Sequence, residues 1–145
     1  MLPDGSSETL QNSYNALLAP LLLNSALTAV RAQPQSSGNA NIAITNTTRA
    51  LDKLELNTAD KGYFDSFLSF NQHLNICSLV TAKALYRRAL ARRILKEEDG
   101  AEKDLVEASH LVPDDKAIAG ELAKVKQHRK EQREKEKKAF KKLFS

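Results

Sequence analysis

Residues 82–113 read AKALYRRALARRILKEEDGAEKDLVEASHLVP, and this stretch decides the fold. The pattern is typical of two short helices joined by a turn. Small or apolar residues stand where two packed helices need close contact: Ala84, Leu85 and Ala89 on the first helix, and Ala101, Leu105 and Ala108 on the second. The last three are spaced by four and by three residues, so they share one helical face. Pro113 ends the second helix because its ring cannot continue it.

The turn between these helices is predicted at residues 96–100, KEEDG. Aspartate accepts hydrogen bonds from the free N–H groups at a helix start. The sequence therefore predicts Asp99 as the N-cap of the second helix.

Lys83 and Arg87 are candidate binding residues on the first of these helices. They lie four residues apart, so their side chains project side by side from one face. Two such cations suit a terminal carboxylate or an aspartate side chain, which arginine can bind with two parallel hydrogen bonds. The alternative is that both are ordinary solvated charges, and composition alone favours that reading.

Residues 82–113 resemble a tetratricopeptide repeat. Ala101, Leu105, Ala108 and Pro113 match the family's pattern, and Ala89 stands where a small residue is required. Arg92 departs from the pattern, because the family prefers an aromatic residue there. Thinner packing between the two helices is expected at that point.

The run KALYRRA, residues 83–89, resembles the last repeat of the large immunophilins, peptidyl-prolyl isomerases that assist the ninety-kilodalton heat-shock chaperone. In that family a lysine and an arginine one turn apart hold the carboxylates at the chaperone's C-terminus. The resemblance implies this role for Lys83 and Arg87.

The N-terminal part predicts a helix from Glu8 to about Arg31, because apolar residues recur there at helical spacing. These residues are Leu10, Tyr14, Leu17, Leu18, Leu21, Leu22 and Leu27. Pro20 either kinks this helix or marks the first turn of a second one. Residues 20–26, PLLLNSA, resemble the first helix of the middle repeat in the same family. That resemblance implies that Asn24 hydrogen-bonds the terminus of a bound peptide, whereas the residues alone favour a capping or surface amide.

Residues 32–40, AQPQSSGNA, are predicted to form a long turn. A helix is then predicted over residues 41–56. Within it Ala43, Thr47 and Ala50 repeat the spacing of four and three. The chain is therefore predicted to contain two related helical hairpins, the first within residues 1–61.

Residues 62–81, GYFDSFLSFNQHLNICSLVT, differ from the rest of the chain. They contain three of the five phenylalanines, the only cysteine and no lysine or arginine. Joining Lys61 directly to Ala82 gives a smooth entry into the repeat. Our hypothesis is that this apolar stretch is a translated, unspliced intron. The alternative is an inserted helix that packs on the hairpins or offers an interaction surface.

Residues 114–145 are predicted to form a charged C-terminal helix. Ile118, Leu122 and Val125 form a short apolar stripe that can cap the stack, and mixed charges follow it. The segment resembles the final helix of forty-kilodalton cyclophilins of fungal type. The resemblance implies contact with a calmodulin-like protein or a chaperone, and the alternative is a solvated helix without a partner. Alternating acidic residues make nucleic-acid binding an unfavoured reading.

Composition limits the remaining classes. With 28% charged residues, five glycines and four prolines, the chain is predicted to be all-α. A single cysteine, Cys77, excludes an internal disulfide and favours the cytoplasm. We expect no metal or other cofactor, because the histidines are scattered, and no membrane span or secretory signal.

The resemblance implies the C-terminal tetratricopeptide-repeat part of a forty-kilodalton cyclophilin. The expected function is a co-chaperone module that docks an acidic chaperone peptide through Asn24, Lys83 and Arg87. The alternative is a peptidyl-prolyl isomerase. In the family, catalysis depends on a cyclophilin barrel, and no strand-rich segment for one is recognisable here. The chain itself is therefore expected not to be an enzyme.

Overall fold

The computed structural model describes residues 8–59 and 70–143, and these residues are all-α, as predicted. The helices are α1 (Glu8–Arg31), α2 (Ser37–Ala59), α3 (Phe70–Ile94), α4 (Glu98–Leu111) and α5 (Lys116–Leu143). No strand occurs within these ranges.

Consecutive helices pack against each other in a stack. The α1–α2 and α3–α4 pairs form two hairpins, α2 packs on α3, and α5 packs on α4. α1 also packs directly on α3, whereas no comparable packing joins α2 to α4 in the described ranges. The side formed by α1 and α3 is therefore the more closely spaced, inner side of the stack. This arrangement is a helical-repeat fragment.

The spacing of four and three marks the core of both hairpins, as predicted. All six residues are completely buried: Ala43, Thr47, Ala50, Ala101, Leu105 and Ala108. Thr47 is accommodated because its hydroxyl donates a hydrogen bond to the carbonyl of Ala43, at 2.7 Å. Small side chains at these positions let the paired helices approach closely.

α1 is one continuous helix with Pro20 inside it, so no second helix begins at the proline. Its apolar residues do not all face the core. Leu22 is buried, but Leu17 and Leu21 are 68% and 65% exposed. The buried strip consists instead of Ala19, Leu22, Leu23, Ala26 and Val30, which is the side that α2 and α3 cover.

α2 begins at Ser37, so the predicted turn over residues 32–40 is shorter than expected. The reason is a cap that the sequence analysis missed. The hydroxyl of Ser36 accepts a hydrogen bond from the backbone N–H of Asn39, at 3.1 Å. Residues 37–40 therefore form the first turn of the helix.

The prediction that Asp99 caps α4 is wrong. α3 ends in a Schellman motif, in which Lys96 has φ 62° and the N–H of Glu97 bonds to the carbonyl of Arg92, at 2.9 Å. This tight ending lets α4 begin at Glu98. Asp99 lies in its first turn, and its carboxylate pairs with Arg129 at 2.6 Å.

The described part of the unusual stretch, residues 70–81, is helical and continuous with residues 82–94 in α3. Residues 62–69 lie outside the described residues. The division of the chain at 62–81 stays a prediction.

α5 is anchored through its N-terminal half. Asp115 caps it by accepting hydrogen bonds from the N–H groups of Ala117 and Ile118, at 2.8 and 3.2 Å. Ile118 and Val125 are buried, as the apolar stripe predicts. Residues 130–143 are all exposed. No helix in the described ranges is both long and apolar enough to cross a membrane.

A candidate cationic groove on α1 and α3

Lys83 and Arg87 lie one turn apart on α3, as the sequence predicts. Lys83 is exposed and Arg87 is half-buried. Within the described ranges neither side chain forms an ion pair. Their charges are therefore available to a ligand.

Arg31 joins this pair, and sequence analysis did not identify it. Burial lowers the pKa of Arg87, and the nearby positive charge of Arg31 lowers it further. Arg31 is the last residue of α1 and is exposed. The sequence feature that could have identified Arg31 is its spacing of seven residues from Asn24.

Asn24 is exposed on α1, and its side-chain amide makes no hydrogen bond with the described residues. Its backbone carbonyl accepts a bond from the hydroxyl of Thr28, at 2.9 Å. Seven residues are about two helical turns, so Asn24 and Arg31 project from the same side of α1. The charge of Arg31 influences Arg87, and α1 packs directly on α3. We call the surface formed by Asn24, Arg31, Lys83 and Arg87 the cationic groove.

A small apolar recess of about 50 Å³ adjoins Lys83, between α3 and the start of α5. It is lined by Leu79, Ala82, Lys83, Tyr86, Val112, Asp115, Ala117 and Ile118. The carboxylate of Asp115 lies in this wall, but it is occupied by capping α5. Among the described residues Asp115 forms no ion pair with Lys83.

The side of α3 that faces α4 is electrostatically different. Arg88 binds the carboxylate of Asp104 with two bonds, at 3.0 and 2.8 Å, and Arg92 binds it at 2.8 Å. Asp104 is only 2% exposed. These three side chains form a buried ion cluster that joins the two helices of the second hairpin.

The expectation of thinner packing at Arg92 is wrong. Its side chain lies across Gly100 and donates a hydrogen bond to the Gly100 carbonyl, at 3.1 Å. A Cβ at Gly100 would come within 2.9 Å of the Arg92 Cδ. The long side chain therefore fills the place of the aromatic residue, and glycine leaves the room for it.

No group of three histidine, cysteine, aspartate or glutamate residues that could hold a metal ion occurs in the part of the chain that the structure describes. The residues of the cationic groove carry three cationic side chains and one amide. Such a surface can bind carboxylates.

Comparison with known proteins identifies relatives along the whole chain. No protein-family model matches it. The chain is 36% identical over 144 residues to proteins named peptidyl-prolyl cis-trans isomerase D in two strains of Cryptococcus neoformans var. neoformans serotype D. These alignments cover 99% of this chain and 33% of the relatives. The protein of the same name in Mycosarcoma maydis is 28% identical over 151 residues, covering 100% of this chain and 34% of the relative.

The chain thus spans about a third of the length of the curated relatives it matches. This agrees with the resemblance to the C-terminal part of a fungal cyclophilin-type protein. The chain is a homologue of fungal proteins named peptidyl-prolyl cis-trans isomerase D, and the similarity extends over nearly all of its residues.

Proposed function

We propose that this chain is a co-chaperone module of the cytoplasm that binds the acidic C-terminal peptide of the ninety-kilodalton heat-shock chaperone. Asn24, Lys83 and Arg87 are its binding residues. The observation that carries the proposal is the contrast within α3. Arg88, Arg92 and Arg93 each pair with a carboxylate, whereas Arg87 has no such partner among the described residues.

The energetics favour a carboxylate as the ligand. Arg87 is half-buried, so it has lost part of its hydration without gaining a counter-charge. A carboxylate that bridges Lys83 and Arg87 restores that lost interaction, and the amide of Asn24 can donate a further hydrogen bond. Hydrogen bonds to charged groups contribute about 1.5–3 kcal/mol each.

Calorimetric titration of the purified chain with a peptide ending in Glu-Glu-Val-Asp tests the proposal. We expect Lys83→Ala and Arg87→Ala each to weaken binding about tenfold or more. Arg49→Ala is the matched control, because Arg49 is an exposed cation on α2, away from the groove. Equal affinities for the wild type and both groove variants would contradict the proposal.

Amidation of the peptide's terminal carboxylate gives a second control on the ligand side. The amide carries no negative charge, so it cannot form the charge-assisted bonds to Lys83 and Arg87. We expect it to bind the wild-type chain more weakly than the free acid. The same affinity for both peptides would show that the terminal carboxylate does not contribute to binding.

The alternative function is isomerase activity, because the relatives are named isomerases. We propose that this chain binds without catalysing, since none of the groove residues forms an apolar pocket for proline. A proline-peptide turnover assay distinguishes the two functions. Measurable turnover that a cyclophilin inhibitor abolishes would overturn the binding-only assignment.

The exposed end of α5 is a second place for a partner. Phe140 and Leu143 are 65% and 80% exposed, and Lys137, Lys141 and Lys142 lie beside them in sequence. A basic helix with exposed apolar residues is the kind of target that calmodulin-like proteins bind. We expect calcium-dependent binding of calmodulin that Leu143→Glu weakens. No binding in the presence of calcium would contradict this assignment.

A further inference from the structure

α5 is held to the rest of the structure in two different ways along its length. In its first turns the contact is apolar, because Ile118 and Val125 are only 3% and 1% exposed. Of the described residues that follow, 126–143, none is buried, and Arg129 is half-buried. The hydrophobic effect scales with the apolar area removed from water, so it contributes little to holding α5 beyond Val125.

Ion pairs with the first turns of α4 hold the next turn of α5. The imidazole Nδ1 of His128 lies 2.6 Å from the carboxylate Oε1 of Glu98. The guanidinium of Arg129 pairs with the carboxylate of Asp99, at 2.6 Å, and with that of Glu102. Arginine stays charged at every physiological pH, so Arg129 is the cation on which this contact depends. We call Asp99, Glu102 and Arg129 the α4–α5 ion cluster.

Arg129 also belongs to a basic face of α5. Residues spaced by three and four lie on one side of a helix, and here they line a cleft of about 310 Å³ together with Glu102 of α4 and Glu134 of α5. The basic residues of this cleft are Lys126, Arg129, Lys130, Arg133 and Lys137. Lys126, Lys130 and Arg133 have no ion-pair partner among the residues that the structure describes. The carboxylate of Glu102 thus occupies part of a face whose other cations are available to a partner.

We infer that the α4–α5 ion cluster regulates the partner site on α5, because the carboxylates of α4 compete with the partner for Arg129. This inference rests on the proposed binding of a calmodulin-like protein. A protein that binds a basic helix presents acidic groups to it, and at Arg129 the side chains of Asp99 and Glu102 already fill that position. The partner must separate this turn of α5 from α4, so it binds well only to the fraction of molecules in which the ion cluster is open.

Calorimetric titration of the full chain with calcium-loaded calmodulin tests the inference, at about 0.15 M salt, where long-range effects of net charge are screened. The test variant is Asp99→Asn with Glu102→Gln, which removes both anionic partners of Arg129. The matched control is Asp114→Asn with Glu107→Gln. Asp114 and Glu107 are exposed and form no ion pair within the described ranges. The control therefore changes the net charge equally and leaves the ion cluster intact.

We expect the test variant to bind calmodulin about three- to tenfold more tightly than the control variant, since an exposed ion pair corresponds to at most about fivefold and two pairs are removed. Asp99→Asn alone should tighten binding about two- to threefold relative to the wild type. Asp99 is 80% exposed, so this single variant keeps the fold even if the double variant does not. Far-ultraviolet circular dichroism and the midpoint of urea unfolding identify any variant that unfolds.

Equal affinities of the test and control variants would overturn the inference, and so would weaker binding of the test variant. An affinity of Asp99→Asn equal to that of the wild type has the same meaning, because the carboxylate would then not compete with the partner. In each of these cases, binding of calmodulin to the wild type leaves the proposed partner of α5 intact. If neither the wild type nor the test variant binds calmodulin, the proposed partner fails, and its regulation fails with it.

Discussion

The two sides of α3 show what arginines do in this protein when they are paired and when they are not. Arg88 faces α4 and holds the buried carboxylate of Asp104 with two bonds. Arg87, the preceding residue, pairs with no carboxylate in the described ranges, and the positive charge of Arg31 contributes to its lowered pKa. The first side stabilises the hairpin. The second keeps charge available for a ligand, at a cost in repulsion.

This difference follows from the residues that α4 and α1 place opposite the two sides of α3. α4 supplies a buried aspartate opposite Arg88 and Arg92, so the cations and the anion leave water together. α1 supplies an asparagine and an arginine instead. Mutations on the two sides should therefore have opposite profiles, with stability lost on one side and binding lost on the other.

The largest effect is expected at Asp104. Asp104→Ala leaves two arginines, 17% and 24% exposed, without their common anion. Removing one partner of a buried ion pair costs about 3–5 kcal/mol, and the partial exposure of the arginines favours the lower end. Urea unfolding measures the loss, with Asp114→Ala as the exposed control. A change below about 0.5 kcal/mol, as at an ordinary surface site, would show that the cluster does not stabilise the hairpin.

Substitutions of Arg88 and Arg87 should have opposite effects: the first should lower stability, and the second should weaken peptide binding. Arg88→Gln should lower the free energy of unfolding by about 1–3 kcal/mol, because Asp104 loses its bidentate partner. Arg87→Gln should stay within about 0.5 kcal/mol of the wild type, since only a repulsive neighbour is lost. Binding of the acidic peptide should fall with Arg87→Gln and persist with Arg88→Gln. Equal loss of stability in both variants would contradict the division of α3 into two sides.

A smaller effect on stability is expected at Lys96, in the turn that ends α3. Lys96 adopts φ 62°, a conformation that costs a side-chain-bearing residue about 1–2 kcal/mol and glycine little. Lys96→Gly should therefore raise the free energy of unfolding by up to about 1 kcal/mol, because greater freedom of the unfolded chain offsets part of the gain. Lys103→Gly, at an exposed helical position of α4, should lower it by about 1 kcal/mol. Lower stability in Lys96→Gly would show that the turn does not depend on this conformation.

The repeated spacing of four and three was sufficient to predict two related helical hairpins, because it depends on helix geometry alone. It correctly placed Ala43, Thr47 and Ala50 in the core of one hairpin, in the same way as Ala101, Leu105 and Ala108 in the other. Helix boundaries were less accurate. They depend on single hydrogen bonds, such as the cap by Ser36, and on the left-handed residue Lys96.

The ion cluster and Arg31 could not be predicted, because they depend on which faces of two helices meet. Asp104 lies 16 residues from Arg88 and 12 from Arg92, and only the packed hairpin brings them together. The charge of Arg31 influences Arg87 because α1 packs directly on α3. The binding roles of Asn24, Lys83 and Arg87 stay predictions that rest on the family resemblance and the groove.

The origin of residues 62–81 also stays a prediction. Residues 70–81 are helical and extend α3 beyond the first helix of the repeat. If the stretch is a retained intron, cDNA should include transcripts that join Lys61 directly to Ala82. Finding only transcripts that encode residues 62–81 would contradict the intron hypothesis and favour a genuine extension of α3.

The most direct test of the cationic groove is a chemical-shift map of the labelled chain titrated with the Glu-Glu-Val-Asp peptide. The account predicts that amide signals shift around Asn24 and Arg31 on α1 and around Lys83 and Arg87 on α3. Signals on the exposed sides of α2 and α4 should stay unchanged. Shifts confined to α2 and α4, or no shifts at saturating peptide, would contradict the account.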